Sequence, residues 1–173
     1  MKDIIKFYLE KGQLIRDRDA TSLSQEYLKK AKNNLFTMQA LSEIQENKKA
    51  RDLLKIPKNY DSNEWVVICG YYAMYTSALA LLAKIGFRSK NHTATLSVLN
   101  EFFVKKKMLD KNLLLNLKNA LFQKEEIEKL SDARHKREIA QYSVTKQTTK
   151  SIAEKIITDA YDFVNKIEEI LQK

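Results

Sequence analysis

Polar and apolar residues alternate at helical spacing along most of this chain, and one stretch breaks the pattern. Residues Trp65 to Ala83 read WVVICGYYAMYTSALALLA, nineteen positions without a formal charge in a chain that is 31% charged. A helix that is apolar nearly all round belongs in the middle of a bundle or in a bilayer. Gly70, Thr76 and Ser77 interrupt this run, and Tyr71, Tyr72 and Tyr75 sit at its middle. A bilayer span carries its tyrosines at the two ends instead. No second such segment exists, and no polybasic clamp flanks one side. The pattern predicts an enclosed central helix and no membrane partner.

The flanking segments wrap this rod. Residues 3–16 read as an amphipathic helix with Ile4, Ile5, Tyr8 and Ile15 on its apolar side, weakened by Gly12. After a charged break at 16–19, Ser22 and Gln25 have capping-box spacing ahead of a long helix. Its inward positions are Leu28, Ala31, Leu35, Met38 and Leu41. That helix fades after Gln45 and is over by Pro57, with 56–63 as a connection. Asp61 and Glu64 repeat the capping spacing for the central helix, which stops at Gly86 with Lys84 complementing the dipole. Residues 87–92 connect to a helix capped by Thr93 that carries Leu96, Leu99, Phe102 and Phe103 and closes at Lys105–Lys107. Asp110 opens a helical region to about Tyr142, with a break near Gln123 and with Leu114, Leu117 and Leu121 inward. Residues 145–150 form a polar connection, and Ser151 with Glu154 starts a final helix bearing Ile152, Ile156, Ala160, Phe163, Ile167 and Ile170. The expectation is an all-α fold: one domain, residues 1–173, built as an antiparallel up-and-down helical bundle of five or six helices.

Composition agrees with that class. Three glycines and one proline are too few for a sandwich, a barrel or a loop-rich α/β fold. The single cysteine, Cys69, excludes an internal disulfide and reads as a buried, inert thiol. The charged first residues lack the apolar run and cleavage site of a leader, which predicts a cytoplasmic protein. The net charge of +9 is concentrated. Residues 84–111 hold seven Lys/Arg against two acids, and 131–150 hold five against two. If the two blocks meet in the fold they make a basic patch for phosphates; otherwise they are ordinary solvated surface.

Little catalytic chemistry is visible. There is no glycine-rich phosphate loop, no paired cysteine and no zinc signature. Of the two histidines, neither has the Glu-x-x-His spacing of a di-metal bundle, so neither a metal nor a cofactor is expected. His92 stands with Arg88 and Lys90 beside a helix start, where it reads as a phosphate or RNA contact or as a histidine closing a loop by hydrogen bonding. Arg134, His135 and Arg137, followed by Tyr142, form the other cluster. An arginine beside a histidine can hold a phosphodiester and move a proton, while the plain alternative is a solvated helix end.

The run YYAMYTSALALLAKIGFRSKNH (71–92) resembles the HEPN family, the higher eukaryote and prokaryote nucleotide-binding domain. The likeness rests on the Tyr-Tyr-Ala-Met-aromatic start, the Leu-Leu-Ala run ending in Gly and the Lys-Asn-His at the next helix start. REIAQY (137–142) is similar to the family's Arg-x-x-Ala-Asp-Tyr segment, and the resemblance spans about residues 22–171. It implies a small helical bundle that is a homodimer, binds nucleotide or RNA, and often pairs with a minimal nucleotidyltransferase, as in toxin–antitoxin modules. The family's ribonucleases carry an Arg followed by a His, with a Tyr two beyond that His. Counted back from Tyr142, the histidine position holds Ala140, and Gln141 stands where the family has Asp. The ribonuclease carry-over reaches Arg134 and Tyr142 only, which implies a binding module rather than an enzyme. With the basic clusters read above, the expected nucleotide- or RNA-binding positions are Arg88, Lys90, His92, Arg134, Arg137 and Tyr142. Two other readings stay open: a ribonuclease using His92 or His135 with Arg134, and a structural subunit without ligand.

Overall fold

The computed structural model describes residues 3–134 and 142–173, with side chains over 3–129 and 150–173. Its elements are α1 (Asp3–Glu10), β1 (Leu14–Arg16), α2 (Ser24–Glu46), α3 (Lys48–Leu53), α4 (Asn63–Lys84), β2 (Phe87–Ser89), α5 (His92–Leu99), α6 (Lys111–Arg134) and α7 (Tyr142–Leu171). A 3-10 turn at Arg18–Leu23 leads into α2, and a π-turn at Asn100–Val104 continues α5. The four long helices α2, α4, α6 and α7 form the bundle. The short helices α1, α3 and α5 bring the described α-helices to seven, where the periodicity predicts five or six.

Contacts between side chains fix the directions. Ser24 at the start of α2 donates to the Ala80 carbonyl near the end of α4 (2.9 Å), and Ser62 before α4 donates to the Leu41 carbonyl (2.9 Å). These two helices are therefore antiparallel. Lys32 meets Glu168 at 2.6 Å and Tyr161 donates to Gln39 at 3.0 Å, so α2 and α7 are antiparallel as well. Helix α4 lies between them. Fourteen of its residues are buried, including Val66, Val67, Tyr71, Met74, Leu81 and Leu82. It is long and apolar enough to cross a membrane by length and composition, yet most of it is enclosed by the other helices. The enclosure is not complete, because Trp65 is 57% and Tyr72 38% exposed.

Several local expectations are corrected. The first helix ends at Glu10 because Gly12, at φ +66, turns the chain, with Gln13 N–H closing back on the Tyr8 carbonyl. Residues 14–16 then extend as a strand, and Ile15 faces outward instead of completing an apolar helix face. The 87–92 connection begins with that strand's partner, paired antiparallel as Leu14↔Ser89 and Arg16↔Phe87. Ser22 does not cap α2; its hydroxyl donates to the Asp19 carbonyl inside the 3-10 turn. At α4, the Asp61 carboxylate accepts from Asn63 N–H (2.9 Å), one residue tighter than a capping box. Asn91, not Thr93, caps α5, accepting from Ala94 N–H at 3.0 Å. Neither Gly nor Pro occurs near Gln123 or in 145–150, and the backbone stays helical through both.

Candidate functional site

The seam between α4 and α6, closed by the start of α5, brings together Tyr71, Tyr75, His92 and Lys124. Tyr71 is 1% exposed, and its ring stacks on Tyr75 one turn later, with centroids 5.7 Å apart. Gly86, at φ +74, ends α4 and sends the chain into β2, and the Asn91 cap then starts α5 at His92. That sequence of turns brings the imidazole against Tyr75 (4.5 Å between ring centres). It also sets Nδ1 of His92 2.7 Å from the Tyr71 hydroxyl. Across the seam, the Lys124 ammonium lies 5.9 Å from the Tyr71 ring centre and 5.8 Å from that of Tyr72. It also pairs with Glu128 at 2.6 Å.

This surrounding sets the protonation states. Burial, reinforced by the neighbouring tyrosines and by Glu125 and Glu128, pushes the Tyr71 phenol well up, so it keeps its proton. Among the described residues its hydroxyl has one partner, Nδ1 of His92, and a buried hydroxyl hydrogen needs an acceptor. Tyr71 therefore donates to His92. Burial and the Lys124 charge hold the imidazole below its ordinary range, against a smaller opposing pull from Glu125. Burial would lower the Lys124 ammonium too, but its bond to Glu128 and the charges around it outweigh that and keep it firmly protonated.

The result is a neutral, tethered imidazole beside a fixed cation. The space at its side is about 10 Å³, lined by Tyr71, Tyr75, His92, Leu117 and Leu121, room for one water at most. A nucleotide or a phosphodiester does not fit there.

Two other predicted positions, Arg88 and Lys90, lie elsewhere. Arg88 is on the surface of β2, paired with Asp17 at 3.2 Å, and Lys90 is exposed just beyond it. His92 turns away from both into the seam. Its ring closes the start of α5 by hydrogen bonding, the plainer of the two roles its position suggests. His135, Arg137 and Ala140 lie outside the described residues, as do the side chains of Arg134 and Tyr142. Lys124 was missed by sequence reasoning, although a signal exists. It continues the Leu114, Leu117, Leu121 spacing, a charge on the apolar face of α6.

The family model described as HEPN domain matches residues 24–170. No curated protein matches the chain, and no solved structure does.

Proposed function

The chain belongs to the HEPN domain family, and on that premise we propose a non-catalytic binding module, homodimeric, that holds nucleotide or RNA on its basic surface. The observation that carries the reading is the Tyr71–His92 bond. A neutral histidine whose basic Nδ1 accepts from a buried phenol, beside a cation and a 10 Å³ space, has neither a free lone pair to act as base nor the room that general acid–base cleavage of RNA requires. The sequence supports the same reading, since Ala140 replaces the histidine of the family's ribonucleases.

The homodimer is supported by the open side of α4. Trp65 and Tyr72 are exposed two turns apart, with half-buried Ile68 and Cys69 between them, an uncharged stripe that a second copy can cover. A minimal nucleotidyltransferase is the partner that family membership suggests for the assembled dimer. Two measurements test the proposal. Incubated with transfer RNA and total RNA, the purified protein leaves both intact; cleavage that disappears in His92→Ala or Arg134→Ala overturns the non-catalytic assignment. In fluorescence anisotropy, labelled ATP or short RNA binds at low salt and weakens steeply as salt rises. Absence of binding at low salt removes the ligand from the proposal.

A further inference from the structure

We infer that the groove between α6 and α7 takes the heteroaromatic base of a nucleotide, with Asn119 and Gln123 bonding its polar edge and Phe122 packing on its ring. The inference rests on the ligand reading above and adds where the base, as opposed to the phosphate, is held. The Asn116 side chain donates to Asp159 at 3.0 Å and ties α6 to α7 at one end of the groove. Beyond that bond a cavity of about 160 Å³ lies between the two helices. Ala120 and Ile156 are each 4% exposed and form its floor, whereas Phe122 is 56% exposed and stands at its mouth. Asn119 and Gln123, one turn apart on α6, also line it.

Three features select a base. The first is volume. A cavity of about 150 Å³ holds a benzene-sized ring, while a whole drug-sized ligand takes about 300 Å³ or more. The groove therefore accepts one ring system and leaves sugar and phosphate outside. The second is charge. Lys155 and Asp159, the ionic groups of the lining, pair at 2.6 Å and cancel each other, so neither a phosphate nor a metal ion is drawn in. The third is unused hydrogen-bonding capacity. Among the described residues, neither the Asn119 nor the Gln123 amide has a side-chain or backbone partner. Each amide offers an acceptor oxygen and two N–H donors in one plane, the set that matches the edge of a base. A purely apolar ligand would cover both amides without pairing them, which costs affinity. An apolar floor, an exposed aromatic ring and planar amides are the groups that hold unstacked bases.

The test uses the full chain, isotope-labelled for NMR at its amides and isoleucine methyls. It is titrated with AMP, with UMP and with ribose 5-phosphate, a probe that lacks the base. Both nucleotides shift the side-chain amide signals of Asn119 and Gln123 and the methyl signals of Ile152 and Ile156, and ribose 5-phosphate moves neither set. Phe122→Ala and Asn119→Leu/Gln123→Leu each weaken AMP binding about tenfold. Leu115→Ala, at an exposed site on the same helix outside the groove, stays close to the parent. Should the double variant impair folding by circular dichroism, Gln123→Met alone gives the same comparison with a smaller loss. Nucleotide binding that shifts other residues and ignores these variants overturns the placement while leaving the ligand reading intact. Equal shifts from ribose 5-phosphate overturn the base assignment. A parent protein that binds neither nucleotide nor short RNA at low salt overturns the ligand reading and the groove with it.

Discussion

Helix α4 meets its two neighbours in opposite ways. Toward α2 and α7 it presents Gly70, and a methyl group added there would stand 3.1 Å from the Met38 sulfur and 3.2 Å from Ile156. On the α6 side it presents Tyr71 and Tyr72, and the space between the helices is filled by rings, an imidazole and an ammonium. One seam is held by side chains packed directly onto the Gly70 backbone, the other by a satisfied polar network. The first tolerates no added volume. The second tolerates shape changes but depends on which atoms carry protons. A single helix thus fixes the bundle on one side and sets a pH-sensitive environment on the other.

The close seam is broken most severely by volume. Gly70→Leu drives a side chain into Met38 and Ile156, and a loss of about 3 kcal/mol is expected in urea unfolding. Gly70→Ala refines the comparison. The substitution gains about 1 kcal/mol of helix propensity, but Ile156 is β-branched and cannot swing aside as Met38 can, so a net loss remains. If Gly70→Ala stabilises the protein, the packing at this seam is looser than the distances imply.

The polar seam responds to a smaller change. Tyr71→Phe keeps the ring and removes the proton donated to His92, leaving Nδ1 without its partner. A loss of about 1 kcal/mol is expected in the same unfolding experiment. The His92 titration followed by NMR should also move upward, because the bond favours the neutral imidazole. Lys124→Met, which removes the nearby charge, should move it the same way.

The pH dependence follows from the same shift. The folded state holds His92 below its ordinary value of 6.5, so in the interval between the two values the unfolded chain binds more protons. Stability is then fully present above the ordinary value and falls as pH drops toward the folded one. His92→Gln should flatten that part of the profile relative to the parent; an unchanged slope would show that His92 is not its source. The smallest effect on stability is expected at the open edge of α4. Trp65→Ser, at a site 57% exposed, should leave the unfolding midpoint nearly unchanged, since exposed sites contribute little. Sedimentation should nevertheless show the proposed homodimer weakened.

Much of the architecture is legible in the residues. The charge-free run 65–83 marks the central helix, and the three-and-four spacing of Leu28, Ala31, Leu35 and Met38 marks the face of α2 that is buried. The helix ends were read less well. Asn91 and Thr93 are both good caps two residues apart, and the choice between them was made by β2, which holds the chain extended up to Asn91. The ribbon itself escaped notice because three-residue strands carry no usable alternation. Only the pairing of Leu14, Ile15 and Arg16 with residues 87–89 makes them strands.

What the sequence determined alone is therefore the class of fold, the identity of the enclosed helix and the family, because periodicity and composition act within a few turns of chain. Tertiary structure decided where the chemistry-bearing groups point. His92 faces a phenol twenty-one residues away and Lys124 comes in from another helix. Each of these meetings depends on the register in which separate elements pack, and that register is set by the volume and closeness of many side chains together, not by the spacing of any one segment.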